Sequence, residues 1–217
     1  MLVSKNAEGV SLSPRGPWQQ TASGGAFYLT DPRPNEVAVE DIAQALSRIC
    51  RYNGHLRAEY PLYSVAQHAV TVAHWMAEDG HPDRVAYAAL HHDSAEAYYG
   101  DIITQVKYAV PALKAFMRPV DEAVAAALEI SVTEEERREI KQYDLIALAT
   151  ESRDVLVEGQ MWTPAWVVLP EARMTTLTPR GQLQAYREFL SVHWTLRTGM
   201  GKPAMLPSDH MDIGAWI

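Results

Sequence analysis

Cysteine is almost absent, with Cys50 standing alone among 217 residues. One thiol excludes an intramolecular disulfide and any Cys-cluster metal site, so a bound metal would draw its ligands from His and carboxylates. Positive charge is also scarce. Lys+Arg total 19 against Asp+Glu 27, a net charge of −8 at pH 7, and such an acidic balance disfavours a nucleic-acid polymer as partner. No apolar run approaches the roughly 18 residues of a membrane span, and residues 1–14 lack the basic-then-apolar order of a secretory signal. No membrane partner is expected, and cytoplasmic residence is the expectation. Sustained apolar/polar alternation is missing, as is any internal repeat. What is present is 47% hydrophobic residues and eight histidines. The first is enough for one sizeable buried core, and the second is a stock of metal-competent side chains.

The pattern predicts a mainly α protein. An N-terminal arm over residues 1–35 has room for a short β-hairpin, a single compact helical bundle occupies 36–198, and a tail covers 199–217. Val39, Ile42, Ala45, Leu46 and Ile49 have the spacing of a first amphipathic helix. Ser64 and Gln67 form a capping-box pattern that opens a second helix, running to about Ala77. Good helix formers from Val85 to Tyr98 predict a third, stopped by Gly100. A fourth opens at Pro111 and is interrupted or kinked at Pro119. Thr133 followed by Glu134, Glu135 and Glu136 starts a fifth that reaches about Val157. Thr178-Pro179 opens the last, after a connection bearing Trp162 and Trp166 that could serve as a lid or an oligomer contact.

Ionisable groups interrupt the apolar faces of three of these helices. His68 lies beside Ala69 on the second, His91-His92-Asp93-Ser94-Ala95-Glu96 follows an Ala/Leu run on the third, and Asp144 sits among Tyr143, Leu145 and Ile146 on the fifth. Burying such groups without partners is costly. His68, His92, Asp93 and Asp144 together make a mixed N/O shell suited to one divalent transition metal, Co, Mn, Zn or Fe(II). His91 is expected to pack behind His92. On a regular helix His92 and Glu96 share a face, with Asp93 about 100° around it. A metal there would acidify a bound water and polarise a phosphoryl group, with Glu96 or Asp101 handling the proton.

Ser64-Val65-Ala66-Gln67-His68, Leu90-His91-His92-Asp93-Ser94-Ala95-Glu96, Gly100-Asp101-Ile102 and Tyr143-Asp144-Leu145-Ile146 occur in that order. The set resembles the H…HD…D pattern of HD-domain phosphohydrolases. More narrowly it is similar to the branch of bacterial 5′-deoxynucleotidases, prophage relatives and phage dATP triphosphohydrolases. The resemblance spans about Asp41 to Val157. It implies an HD-domain bundle in which His68, His92, Asp93 and Asp144 bind the metal, while Glu96 and Asp101 manage protons for the attacking water and the leaving ester oxygen. It implies further that Arg51 contacts substrate phosphate or sugar, through a guanidinium fork suited to phosphate oxygens. Lys107 and Arg153 are further phosphate candidates. Tyr52 stands where the 5′-deoxynucleotidases carry a Trp that excludes the ribose 2′-hydroxyl, and Ile103-Thr104-Gln105 replaces a Pro-Thr-Pro. His55, in the loop after Arg51, could reach a phosphate or cap a turn.

The expected activity is hydrolysis of a 5′-(deoxy)nucleotide at the α-phosphorus, giving a nucleoside plus phosphate or triphosphate. A dNMP or a dNTP fits, with dATP a leading candidate and Mg a companion to a triphosphate. The resemblance implies a homo-oligomer. Two alternatives are an HD hydrolase of a signalling nucleotide and a non-catalytic binding module that keeps its metal for structure.

Overall fold

The computed structural model describes residues 14–159 and 168–202. Among them, a two-strand antiparallel hairpin, β1 (Gln19–Gln20) and β2 (Ala26–Phe27), precedes eight helices. These are α1 (Val39–Leu46), α2 (Val65–Glu78), α3 (Asp83–Leu90), α4 (Glu96–Tyr99), α5 (Thr104–Ala109), α6 (Ala112–Ala127), α7 (Glu134–Asp154) and α8 (Gln182–Gly199). The mainly α class with a short N-terminal hairpin is the one the sequence predicts. Trp162 and Trp166 lie outside the described residues, as do the first thirteen residues and the tail beyond 202.

Helix α2 is the axis of the bundle. Val65, Ala66, Ala69, Val72 and Ala73 are buried, and α1, α3, α7 and α8 all pack against it. A helix buried nearly all round belongs in a core, and its alanines let neighbours approach closely. The Ser64 hydroxyl accepts the Gln67 N–H at 3.2 Å, as a capping serine should. The reciprocal bond expected from the Gln67 amide is not made. Gln67 Nε2 donates instead to the Thr178 carbonyl, and its Oε1 accepts the Arg180 N–H. That tie holds 178–180 extended against α2, which is why α8 begins at Gln182 rather than at Thr178-Pro179.

Helix α7 opens on a full capping box. Glu136 N–H donates to the Thr133 hydroxyl while Thr133 N–H donates to the Glu136 carboxylate. Helix α6 runs through Pro119 without interruption. The hairpin is less of a free arm than its composition suggests. Phe27 is fully buried and stacks on Tyr98 with ring centroids 3.8 Å apart, and buried Asp41 accepts both the N–H and the hydroxyl of Ser23.

The predicted third helix is broken. Helix α3 stops at Leu90, residues 91–95 form a turn, and α4 takes up the chain until Gly100, whose backbone lies at φ +84° and ψ 165°. Only glycine holds that conformation without strain. The cause of the break is local: His92 Nδ1 donates to the Ala89 carbonyl at 2.7 Å, and the His92 N–H reaches that same carbonyl at 3.4 Å. In an uninterrupted helix the Asp93 N–H would take it.

Candidate metal centre and adjoining cavity

The turn changes how the ligand candidates meet. Adjacent residues on a regular helix do not face each other. Here His92 Nε2 and Asp93 Oδ2 lie 3.1 Å apart. From α2, His68 Nε2 comes within 3.3 Å of His92 Nε2 and 3.8 Å of Asp93 Oδ2. From α7, Asp144 Oδ1 stands 3.2 Å from His68 Nε2 and 3.9 Å from His92 Nε2. His68, His92 and Asp93 are thus brought to one point, and Asp144 reaches the two imidazoles from α7.

Their chemistry fits a cation. His68 Nδ1 donates to Glu151 Oε1 at 2.6 Å and His92 Nδ1 donates to the Ala89 carbonyl, so each ring turns Nε2, the nitrogen that can give up its proton to a metal, towards the other and towards two carboxylates. Four acceptors facing one another repel unless a positive charge lies among them. The titration of the groups has the same cause: burial opposes charging His92, yet Asp93 and Asp144 lift it to about 9. Burial likewise opposes ionisation of Asp93 and Asp144, and the two imidazoles hold both below the usual carboxylate range. His68, His92 and Asp93 form a group whose ligand atoms all lie within 4.8 Å of one another. Imidazole and carboxylate together suit a borderline divalent transition metal.

Glu151 was not foreseen from the sequence. It lies seven residues after Asp144, two turns further along the same face of α7, and that spacing was its only signal. It is fully buried. Its carboxylate accepts from His68, from the Tyr63 hydroxyl at 3.0 Å, from Arg51 Nε at 3.2 Å and from the Tyr52 hydroxyl, and pairs with Arg51 Nη2 at 3.1 Å. Burial raises its pKa, but Arg51 and His68 outweigh this and hold it at about 2. Arg51 in turn brings Nη1 to 3.8 Å from Asp93. Tyr52 and Asn53 carry the backbone round this corner in the left-handed region, at φ +59° and +51°.

A cavity of about 400 Å³ opens beside this cluster. Arg51, Tyr52, His55, Glu96, Asp101 and Lys107 all line it, together with Asp93 and Asp144. Burial, reinforced by Asp93 and Asp101, lifts Glu96 to about 9, and burial also raises Asp101. One Glu96 oxygen has no hydrogen-bond partner among the described residues, while the other lies 3.6 Å from the Lys107 ammonium. Lys107 rides on α5, a short helix that the sequence reading did not predict. Lys141, also unforeseen, lines the cavity and pairs with Asp144 Oδ2 at 2.5 Å.

Arg153 is placed elsewhere. It pairs with Asp154 and donates to the carbonyls of Arg173 and Thr175, a latch between α7 and the segment before α8. His91 packs behind the His92–Asp93 pair, away from the cluster. Its Nδ1 bonds the Ser94 hydroxyl and its Nε2 lies 2.8 Å from His193 Nδ1.

A donor set shared by α2, the α3–α4 turn and α7 in a mainly helical bundle places the protein in the HD-type class. Residues 57–158 match the model of the YfbR-like family, described as 5′-deoxynucleotidase YfbR-like. The chain belongs to this family. YfdR of Escherichia coli is 34% identical over 172 residues, which are 79% of this chain and 90% of that protein. A protein of Rhodobacter capsulatus is 41% identical over 95 residues, 43% of this chain and 48% of its own. The 5′-deoxynucleotidase PM0747 of Pasteurella multocida is 27% identical over 144 residues, covering 58% of this chain and 72% of that enzyme.

Proposed function

We propose that the protein is a metal-dependent phosphohydrolase of 5′-deoxynucleotides, in which water attacks the α-phosphorus and the 5′ oxygen of the sugar leaves. The observation that carries this reading is the meeting of His68, His92, Asp93 and Asp144 at the wall of a cavity that also holds Glu96, Asp101, Arg51 and Lys107. A divalent metal on those four ligands would supply Lewis-acid polarisation of the phosphoryl group and a lowered pKa for water. The rest falls to the chain's own side chains. Glu96, lifted to about 9, is a protonated acid at neutral pH and can give its proton to the departing 5′ oxygen. Asp101, across the same cavity, is the carboxylate that takes a proton from the attacking water. Arg51 and Lys107 neutralise phosphate charge, and Lys141 becomes available to it once a metal competes for Asp144. Local cations, rather than net charge, let an acidic protein hold a phosphate.

Tyr52 lines the cavity, and its ring in place of the Trp of the 5′-deoxynucleotidases makes the dNMP-to-NMP comparison the measure of deoxyribose preference. Both dAMP and dATP fit the proposal, the first releasing phosphate and the second triphosphate. The test is chromatography of products from all NMPs, dNMPs and dNTPs with Mn, Co, Zn or Mg added, beside Asp93→Ala. Deoxynucleoside release by the wild type and none by the variant is expected. No release above the variant for any substrate would overturn the reading.

A further inference from the structure

A single side chain outside the ligand set touches both halves of the site. Glu151 Oε1 accepts from His68 Nδ1 at 2.6 Å and from the Tyr63 hydroxyl at 3.0 Å. Its Oε2 accepts Arg51 Nε at 3.2 Å and the Tyr52 hydroxyl, and lies 3.1 Å from Arg51 Nη2 as an ion pair. A carboxylate offers about four lone-pair sites, so the four hydrogen-bond donors saturate it and leave it none for water or substrate. Glu151 is also fully buried. It therefore cannot be a proton carrier or a phosphate contact, and a group of this kind acts on what it holds.

What it holds is specific. Accepting from His68 Nδ1 fixes the tautomer that bares Nε2 and aims the ring at His92 and Asp93. Holding Arg51 by the Nε hydrogen bond and the Nη2 ion pair leaves Nη1 as the guanidinium nitrogen directed at Asp93, 3.8 Å away. Binding the Tyr52 hydroxyl turns that polar tip away from the cavity, so the ring alone is left to wall it. We propose that Glu151 is the positioning residue of this site, one buried carboxylate that sets the metal-ligand imidazole of His68, the phosphate-facing guanidinium of Arg51 and the sugar-facing ring of Tyr52 in common register. The metal half of this inference stands without the proposed activity, whereas the Arg51 and Tyr52 half rests on it.

The experiment has two arms. In the first, 15N-edited NMR of the wild-type imidazoles, free and Zn-loaded, is expected to find His68 protonated at Nδ1 in both states, and an unprotonated Nδ1 in either would overturn the proposal. In the second, Glu151→Gln and Glu151→Asp are compared. The amide cannot accept all four donors, so Zn or Mn affinity measured by equilibrium dialysis without nucleotide is expected to fall about 10- to 100-fold in Glu151→Gln. Glu151→Asp is expected to recover part of it. At saturating metal, KM for dAMP is expected to rise more than kcat falls, and the dAMP-to-AMP preference to shrink. A folded Glu151→Gln with metal affinity and KM both within twofold of wild type would overturn the proposal. Should that variant not fold, the wild-type tautomer and Glu151→Asp still decide it. Failure of every nucleotide assay with the metal result intact would instead count against the proposed function alone.

Discussion

Asp93 follows His92 in the chain, yet their ligand atoms meet at 3.1 Å, which shows what single residues disclosed and what they hid. His68, His92, Asp93 and Asp144 were legible because each is an ionisable group on an apolar face, where burial without a partner is costly. Glu151 was not. Ala149-Thr150-Glu151-Ser152 looks like any helix surface until folding places it under Arg51 and His68. Lys141 was hidden for the same reason, as an ordinary member of a charged helix. The role of Glu96 makes a prediction at this scale. Its acid form persists through neutrality and is lost as pH rises through about 9, so kcat should fall on the alkaline side. Glu96→Gln should lower kcat by about 10²- to 10⁴-fold and abolish that alkaline limb while leaving metal affinity within twofold. An unchanged pH–rate profile in the variant would remove Glu96 from proton transfer.

Helix α3 and helix α8 meet through the His91–His193 contact, and the element boundaries there explain the main departures from the sequence reading. Periodicity alone gave no reason to end a helix within Val85–Tyr98, because the break comes from a side chain claiming the Ala89 carbonyl. Helix α5 escaped notice because it buries no residue and so leaves no amphipathic trace. The clear capping patterns at Ser64 and Thr133, by contrast, marked the true starts of α2 and α7. Burial and the Arg197 charge lower His193 to about 4, and burial with the facing His193 keeps His91 well below its ordinary value. The unfolded chain, with histidine near 6.5, therefore binds more protons between those values. The contribution of the pair to stability is complete above about pH 6.5 and is lost as pH falls towards about 4. Glu96, whose pKa is raised, has the opposite slope, so the expected signature is a difference. The gap in urea midpoint between wild type and His193→Gln should narrow from pH 7 to pH 5. A gap that stays constant would contradict the neutral, buried state of His193.

At the scale of the whole molecule, the near-absence of cysteine and the excess of acid both find their place. A metal site here has to be His and carboxylate, and the fold supplies four such groups from three separate segments of chain. No helix among the described residues is long and apolar enough to cross a membrane. The net charge of −8 argues against a polymer of phosphates but not against one nucleotide held by Arg51, Lys107 and a metal. The most direct test of the central claim is hydrolysis of dAMP and dATP in 18O-labelled water by the Mn- or Co-loaded protein, with products read by mass spectrometry. The account predicts deoxyadenosine without label, label in the released phosphate or triphosphate, and no product with Asp93→Ala. Label in the nucleoside, or no release above the variant from either substrate, would contradict it.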